Sequence, residues 1–162
     1  MSRLDSVIRR LQAQRACLEM AAALIEGVEG PVLELGLGNG RTFDHLRQIL
    51  PGRAIFVYER KVAAHPDCRP DEAHLIEGDI FATLPASRAR LPAPAALAHA
   101  DIGTGETEPN ARIAAFLGAA LPELMAPAAV ILADRDLPLA GWQRLPPPDG
   151  IAAERYFLWR RA

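Results

Sequence analysis

The stretch Val32-Leu33-Glu34-Leu35-Gly36-Leu37-Gly38-Asn39-Gly40 limits the folds open to this chain more than any other. An apolar run holding one glutamate passes into three glycines at alternate positions. Glycine has no Cβ, so such a loop can turn sharply and let the backbone approach a ligand closely. A helix is predicted to start at Arg41-Thr42, with Phe43, Leu46, Ile49 and Leu50 on its apolar side. Strand, glycine loop and helix in that order open a βαβ unit of the nucleotide-binding kind. The dinucleotide fingerprint G-x-G-x-x-G would need glycine at position 41, where this chain has Arg41. An NAD-dependent reductase is therefore a poor reading.

Three further apolar runs end in acids: Ile55 to Glu59, His74 to Asp79, and Ala95 to Asp101. A carboxylate closing the second strand of a doubly wound sheet is placed to accept hydrogen bonds from ribose hydroxyls. One acid after an apolar run is common. Acids at successive strand ends behind a glycine loop are a pattern.

On these residues the chain resembles the class I S-adenosylmethionine-dependent methyltransferases. Among them it is most similar to the small single-domain bacterial S-adenosylmethionine methyltransferases of unassigned substrate, and the likeness is strongest from Pro31 to Leu84. The resemblance implies S-adenosyl-L-methionine as cofactor and an α/β fold. That fold is a doubly wound, Rossmann-like, mostly parallel seven-stranded sheet, with an antiparallel edge hairpin at the C-terminus and an N-terminal capping helix. By the same resemblance Glu34, Gly36, Gly38 and Gly40 hold the methionine and ribose part of the cofactor, and Glu59 grips the ribose. Gly78-Asp79 receives the adenine amino group with Ile80 against the ring, and Asp101 lies beside the sulfonium and its methyl group. Asn39, Thr42 and Arg60, next to the loop and the second acid, complete the expected cofactor contacts.

With 162 residues, one domain is expected: a helical cap over 1–27 and an α/β core over 31–162. A formal net charge of −2 offers no electrostatic footprint for nucleic acid. Cys17 and Cys68 are too few for a disulfide framework and sit in no metal-ligand spacing, so reduced thiols in a cytoplasmic protein are expected. No signal peptide is recognisable, and the apolar run from Met20 to Ile25 is too short to span a membrane. A homodimer is compatible with all of this.

Residues 2–26 predict a helix, with Leu4, Val7, Ile8, Leu11, Leu18, Ala21, Ala22 and Ile25 on one stripe. Gln14 and Arg15 interrupt that stripe. Either the helix breaks there and both side chains reach solvent, or this step faces the cleft and Arg15 or Gln14 meets the cofactor carboxylate or an anionic substrate. Pro66 and Pro70 rule out a long helix between the second and third strands. Thr107-Glu108-Pro109 starts another helix, Ala129 to Ala133 is a buried strand, and Arg155 to Arg160 closes the chain as a β-rich run.

For catalysis, Asp101 is a candidate base, sulfonium partner or loop cap. His99, two residues earlier and so on the same strand face, is the leading imidazole. The segment Asp101 to Gly105 lacks the Asn/Asp-Pro-Pro-aromatic signature of base-amine methylation, and no cysteine stands at this strand end for attack on cytosine C5. Asp134-Arg135-Asp136 could join Asp101 around Mg²⁺, but acids flanking an arginine more often form a salt-bridged turn. No metal is expected. The expected reaction is direct in-line methyl transfer to a small-molecule acceptor. The rival is a non-catalytic module that binds S-adenosylmethionine or its demethylated product.

Overall fold

The computed structural model describes residues 2–103 and 107–162. Seven strands follow one another as β1 (Val32–Leu35), β2 (Ile55–Glu59), β3 (Leu75–Glu77), β4 (Ala95–Ala100), β5 (Met125–Ala133), β6 (Trp142–Leu145) and β7 (Phe157–Arg161). The helices are α1 (Arg3–Leu24), α2 (Arg41–Ile49), α3 (Ile80–Ala86) and α4 (Thr107–Ala120). The strands form one sheet in the order β3-β2-β1-β4-β5-β7-β6. Pairings among β1 to β5 are parallel, while β7 runs antiparallel to both β5 and β6.

Every residue of β1 and β4 is buried, which is why their sequences read as continuous apolar runs rather than alternating ones. Alternate residues serve two cores. Leu33, Leu35 and Tyr58 pack with Leu117 and Ile113 of α4 on one face. Val32, Val57 and Leu97 pack with Leu18 and Ile25 of α1 and Phe43 of α2 on the other. Glu34 and His99 share the register of the second face, side by side on neighbouring strands.

Between β2 and β3 there is only a single 3₁₀ turn, Pro66–Cys68, as the two prolines predict. The edge at the C-terminus is antiparallel as expected, but the hairpin is not tight. Residues 146–156 join β6 to β7, and that connection buries Tyr156.

The first helix is one unbroken element. Ser2 caps it in a reciprocal pair with Asp5, each side chain bonding the other's backbone N–H. The expected kink at Gln14-Arg15 is absent. The buried stripe, however, covers only the later turns, through Ala13, Cys17, Leu18, Ala21 and Ile25. Leu4, Val7 and Ile8 are 68%, 45% and 44% exposed. The helix runs down toward the start of β1, and Gln14 is level with Asp101 at the end of β4. Leu4, Val7 and Ile8 lie before that level, where the described residues leave them largely uncovered.

Candidate active site

The strand order reverses between β1 and β4, and a cavity of about 760 Å³ opens there at the carboxyl ends of the strands. A doubly wound sheet binds its ligand at this switch point, and the volume is that of a small-molecule site. Gly36, Gly38, Glu59, Arg60, Gly78, Asp79, Ile80 and Asp101 all line it. Beside it, under α1, lies a second hollow of about 250 Å³. Arg10, Gln14, Asn39, Arg41 and Thr42 line this hollow, and it shares Gly36, Gly38 and Asp101 with the first.

The three loop glycines all have positive φ: 94° at Gly36, 51° at Gly38 and 80° at Gly40. Their surroundings differ. A Cβ on Gly36 would stand 2.8 Å from the Asp101 carbonyl oxygen, so this glycine lets β1 pass close to the end of β4. A Cβ on Gly40 would stand 2.4 Å from the Cys68 carbonyl oxygen and 2.6 Å from its Cβ. At Gly38 a Cβ would meet nothing within 4 Å. Of the three, only Gly38 keeps its missing side chain's place clear on the cavity wall. Gly40 packs against the protein and lines neither hollow.

Glu59 is bound into the loop. Its Oε2 accepts from the backbone N–H of Leu37 at 2.9 Å and of Gly38 at 3.1 Å, and Oε1 accepts from Lys61 N–H at 3.1 Å. A carboxylate has about four acceptor positions, so one remains for a ligand in the cavity it lines. Asp79 is the N-cap of α3, with Oδ1 accepting from Phe81 N–H at 3.0 Å. Phe81 forms the adjoining wall, with the Arg112 guanidinium 4.7 Å above its ring.

Behind Asp101 runs a chain of buried polar groups. Asp101 Oδ2 accepts from Gln14 Nε2 at 2.8 Å, and that same nitrogen lies 3.2 Å from the Tyr156 hydroxyl. The Tyr156 hydroxyl is 2.5 Å from His99 Nε2, with the two rings stacked at 5.9 Å. His99 Nδ1 is 2.6 Å from Glu34 Oε2, and Glu34 Oε1 accepts from the Thr42 hydroxyl. Gln14, Glu34, His99 and Tyr156 are all buried. Burial pushes the His99 imidazolium down, but the adjacent Glu34 carboxylate outweighs it and sets the net direction upward. Burial, then the nearby Asp101 charge, holds the Tyr156 phenol well above its ordinary range.

Several expected roles need correction. Glu34 is fully buried beneath the loop and lines neither hollow, because His99 and Thr42 occupy its carboxylate. His99 is equally enclosed and lines neither hollow. Arg15 is exposed and lines neither hollow; it is Gln14, one helical step of about 100° away, that turns inward. The region of Asp134 is a salt-bridged turn. Arg135 binds both Asp134 oxygens, at 2.9 and 2.7 Å, and Arg144 holds Asp136 at 2.9 Å. Thr104 and Gly105 of the segment after β4 lie outside the described residues.

Sequence reasoning missed Arg10, which approaches Asp101 Oδ2 at 3.4 Å, and Tyr156. Arg10 lies one helical turn before Gln14, a spacing that could have drawn attention to it. Nothing near Tyr156 in the sequence marks it.

A glycine loop, a carboxylate at the end of β2 and a capped acid after β3 surround one switch-point cavity in a seven-stranded sheet with a reversed β7. Together these define a class I, Rossmann-like methyltransferase. The chain belongs to the S-adenosyl-L-methionine methyltransferase family, whose model matches residues 1–161. It is 47% identical to the S-adenosyl-L-methionine methyltransferase of Silicibacter pomeroyi DSS-3, with a TM-score of 0.93 over 100% of this chain and 99% of that one. Two distant structures share the fold. TDP-rhamnose 3'-O-methyltransferase CalS11 of calicheamicin biosynthesis is 20% identical, with a TM-score of 0.60 over 88% of this chain and 76% of that one. Cofactor-bound Rv0187 from MTB is 15% identical, with a TM-score of 0.55 over 96% and 89%. None of the curated proteins matches the chain. Family membership decides for an enzyme over a binding module, with S-adenosylmethionine as its cofactor. Among the described residues, no helix is long and apolar enough to cross a membrane.

Proposed function

We propose that the protein transfers the methyl group of S-adenosylmethionine to a small-molecule acceptor, with the larger cavity as the cofactor site. The observation that carries this reading is that Gly38, Glu59, Asp79 and Asp101, from four separate strand ends, meet on one cavity wall. The cradle suits the group: Gly38 leaves room for close backbone approach, and Glu59, with three of its roughly four acceptor positions taken, keeps one for a ribose hydroxyl. Asp79, with one oxygen engaged in the helix cap, offers the other to the adenine amino group, while Ile80 and Phe81 supply an apolar wall. When bound, S-adenosylmethionine supplies a methyl group on a sulfonium that is already an activated leaving group.

The chain's own part is to orient and to exclude water. Asp101, the carboxylate common to both hollows, stands where it can stabilise a neighbouring cation or receive the acceptor's proton. The acceptor would attack from the side opposite the departing sulfur. Incubation with methyl-labelled cofactor and a metabolite extract tests the reading. Label should appear in a low-mass product, and label found only in macromolecules, or left entirely on the cofactor, would overturn it.

A further inference from the structure

The polar residues that run from behind Asp101 back to Glu34 do not line the larger cavity, yet they occupy the core. Gln14 is 5% exposed, Tyr156 1%, and His99 and Glu34 not at all. Buried polar groups are tolerated when fully bonded, but apolar residues of similar size commonly serve stability as well or better. Stability alone therefore does not account for four such residues contributed by α1, β1, β4 and the segment before β7. The chain also has two defined ends. At one, Thr42, which lines the smaller hollow, bonds Glu34. At the other it stops at a cavity carboxylate.

We propose that Gln14 and Tyr156 are positioning residues for Asp101, anchored by the buried His99–Glu34 pair. Asp101 lies just past the last residue of β4, where its backbone N–H still bonds Leu35 O at 3.1 Å but the direction of its carboxylate is left to side-chain partners. Both of its described partners bind the same oxygen, Oδ2: Gln14 at 2.8 Å and the half-exposed Arg10 at a longer 3.4 Å. An ionised carboxylate accepts only, so it turns the Gln14 amide NH₂ toward itself. The amide's second proton then goes to the Tyr156 oxygen. The Tyr156 hydroxyl in turn meets His99 Nε2, and His99 Nδ1 meets Glu34, so each member of the chain is held by the next. Oδ2 is held in this way on a residue that lines both hollows. The negative charge is thereby fixed in place at the reacting end.

This inference rests on the cofactor reading above, and its test separates the two. S-adenosylmethionine carries a sulfonium charge that S-adenosylhomocysteine lacks, so calorimetric affinities for both ligands report whether a charge is well placed. In Gln14→Met and in Tyr156→Phe, S-adenosylmethionine should bind about tenfold more weakly relative to S-adenosylhomocysteine than in the unmodified protein. In an Asp101→Asn background the same two substitutions should leave that ratio unchanged, because the charge they position is gone. Retained S-adenosylhomocysteine binding certifies the fold of each variant, and Gln14→Met, of similar shape, serves if Tyr156→Phe does not fold. Equal weakening of both ligands, or the same change of ratio in the Asp101→Asn background, would overturn the positioning role and leave the cofactor reading intact. An unmodified protein that binds neither ligand would overturn both.

Discussion

The loop wall of the cavity and the helix wall behind Asp101 are built in different ways. On the loop wall, the groups that meet are close in sequence or lie at successive strand ends. Leu37, Gly38 and Glu59 are joined by bonds spanning 22 and 21 residues. On the helix wall, Gln14 bonds Asp101 across 87 residues and Tyr156 across 142. The loop wall is largely backbone, shaped by glycine and one carboxylate, whereas the helix wall is largely side chain. A wall made of local backbone geometry leaves a motif in the sequence. A wall made of tertiary side-chain contacts leaves only a buried polar residue at an unexpected position.

The loop wall should be the more sensitive. In Glu59→Ala both the bonds that hold the Leu37 and Gly38 amides and the proposed ribose acceptor are lost. Charge-assisted bonds of this kind contribute about 1.5–3 kcal/mol each at most, so affinity for S-adenosylmethionine should fall roughly fiftyfold. Unchanged calorimetric affinity would remove Glu59 from the site. Gly38→Val combines a β-branched residue at φ 51° with a side chain in the cavity. Binding should weaken about tenfold with the circular dichroism spectrum preserved, since no protein atom stands in the way. Full retention of binding would mean that the ligand does not approach this backbone. The smallest effect belongs to the helix wall. Arg15→Ala should change neither affinity nor melting temperature measurably, in keeping with an exposed side chain outside both hollows. A clear loss of binding would mean that α1 presents a different face to the ligand.

Much of the fold was legible because it follows from short-range rules. The continuous apolar runs of β1 and β4 announce strands covered on both faces, and Pro66 and Pro70 announce the short β2–β3 crossover. Strand-end acids were legible as a set, but not their individual tasks. Glu34 and Glu59 look alike in sequence, each an acid in or at the end of an apolar run. The difference is one of strand position: Glu34 lies inside β1 and faces His99 across the ladder, while Glu59 closes β2 and reaches the loop. The interrupted stripe of α1 marked the right turn of helix, yet could not choose between Gln14 and Arg15. Adjacent residues point about 100° apart, and only the packing of α1 on the sheet selects one. Leu4, Val7 and Ile8 continue the apolar period into turns left largely uncovered, and periodicity alone cannot say where the cover ends.

The bond between Gln14 and Tyr156 also has a consequence for how the molecule is assembled. Contacts so distant along the chain close large loops, and they form late because the entropy of closure must be met before they give anything back. The parallel strands and the glycine turn can pair while the segment before β7 is still unplaced. On the proposed role of Tyr156, such a partly folded form would present a cofactor cradle with Asp101 unset. Competence for chemistry then arrives only with the final docking of that segment, and local unfolding there would silence the protein while most of its sheet remained intact.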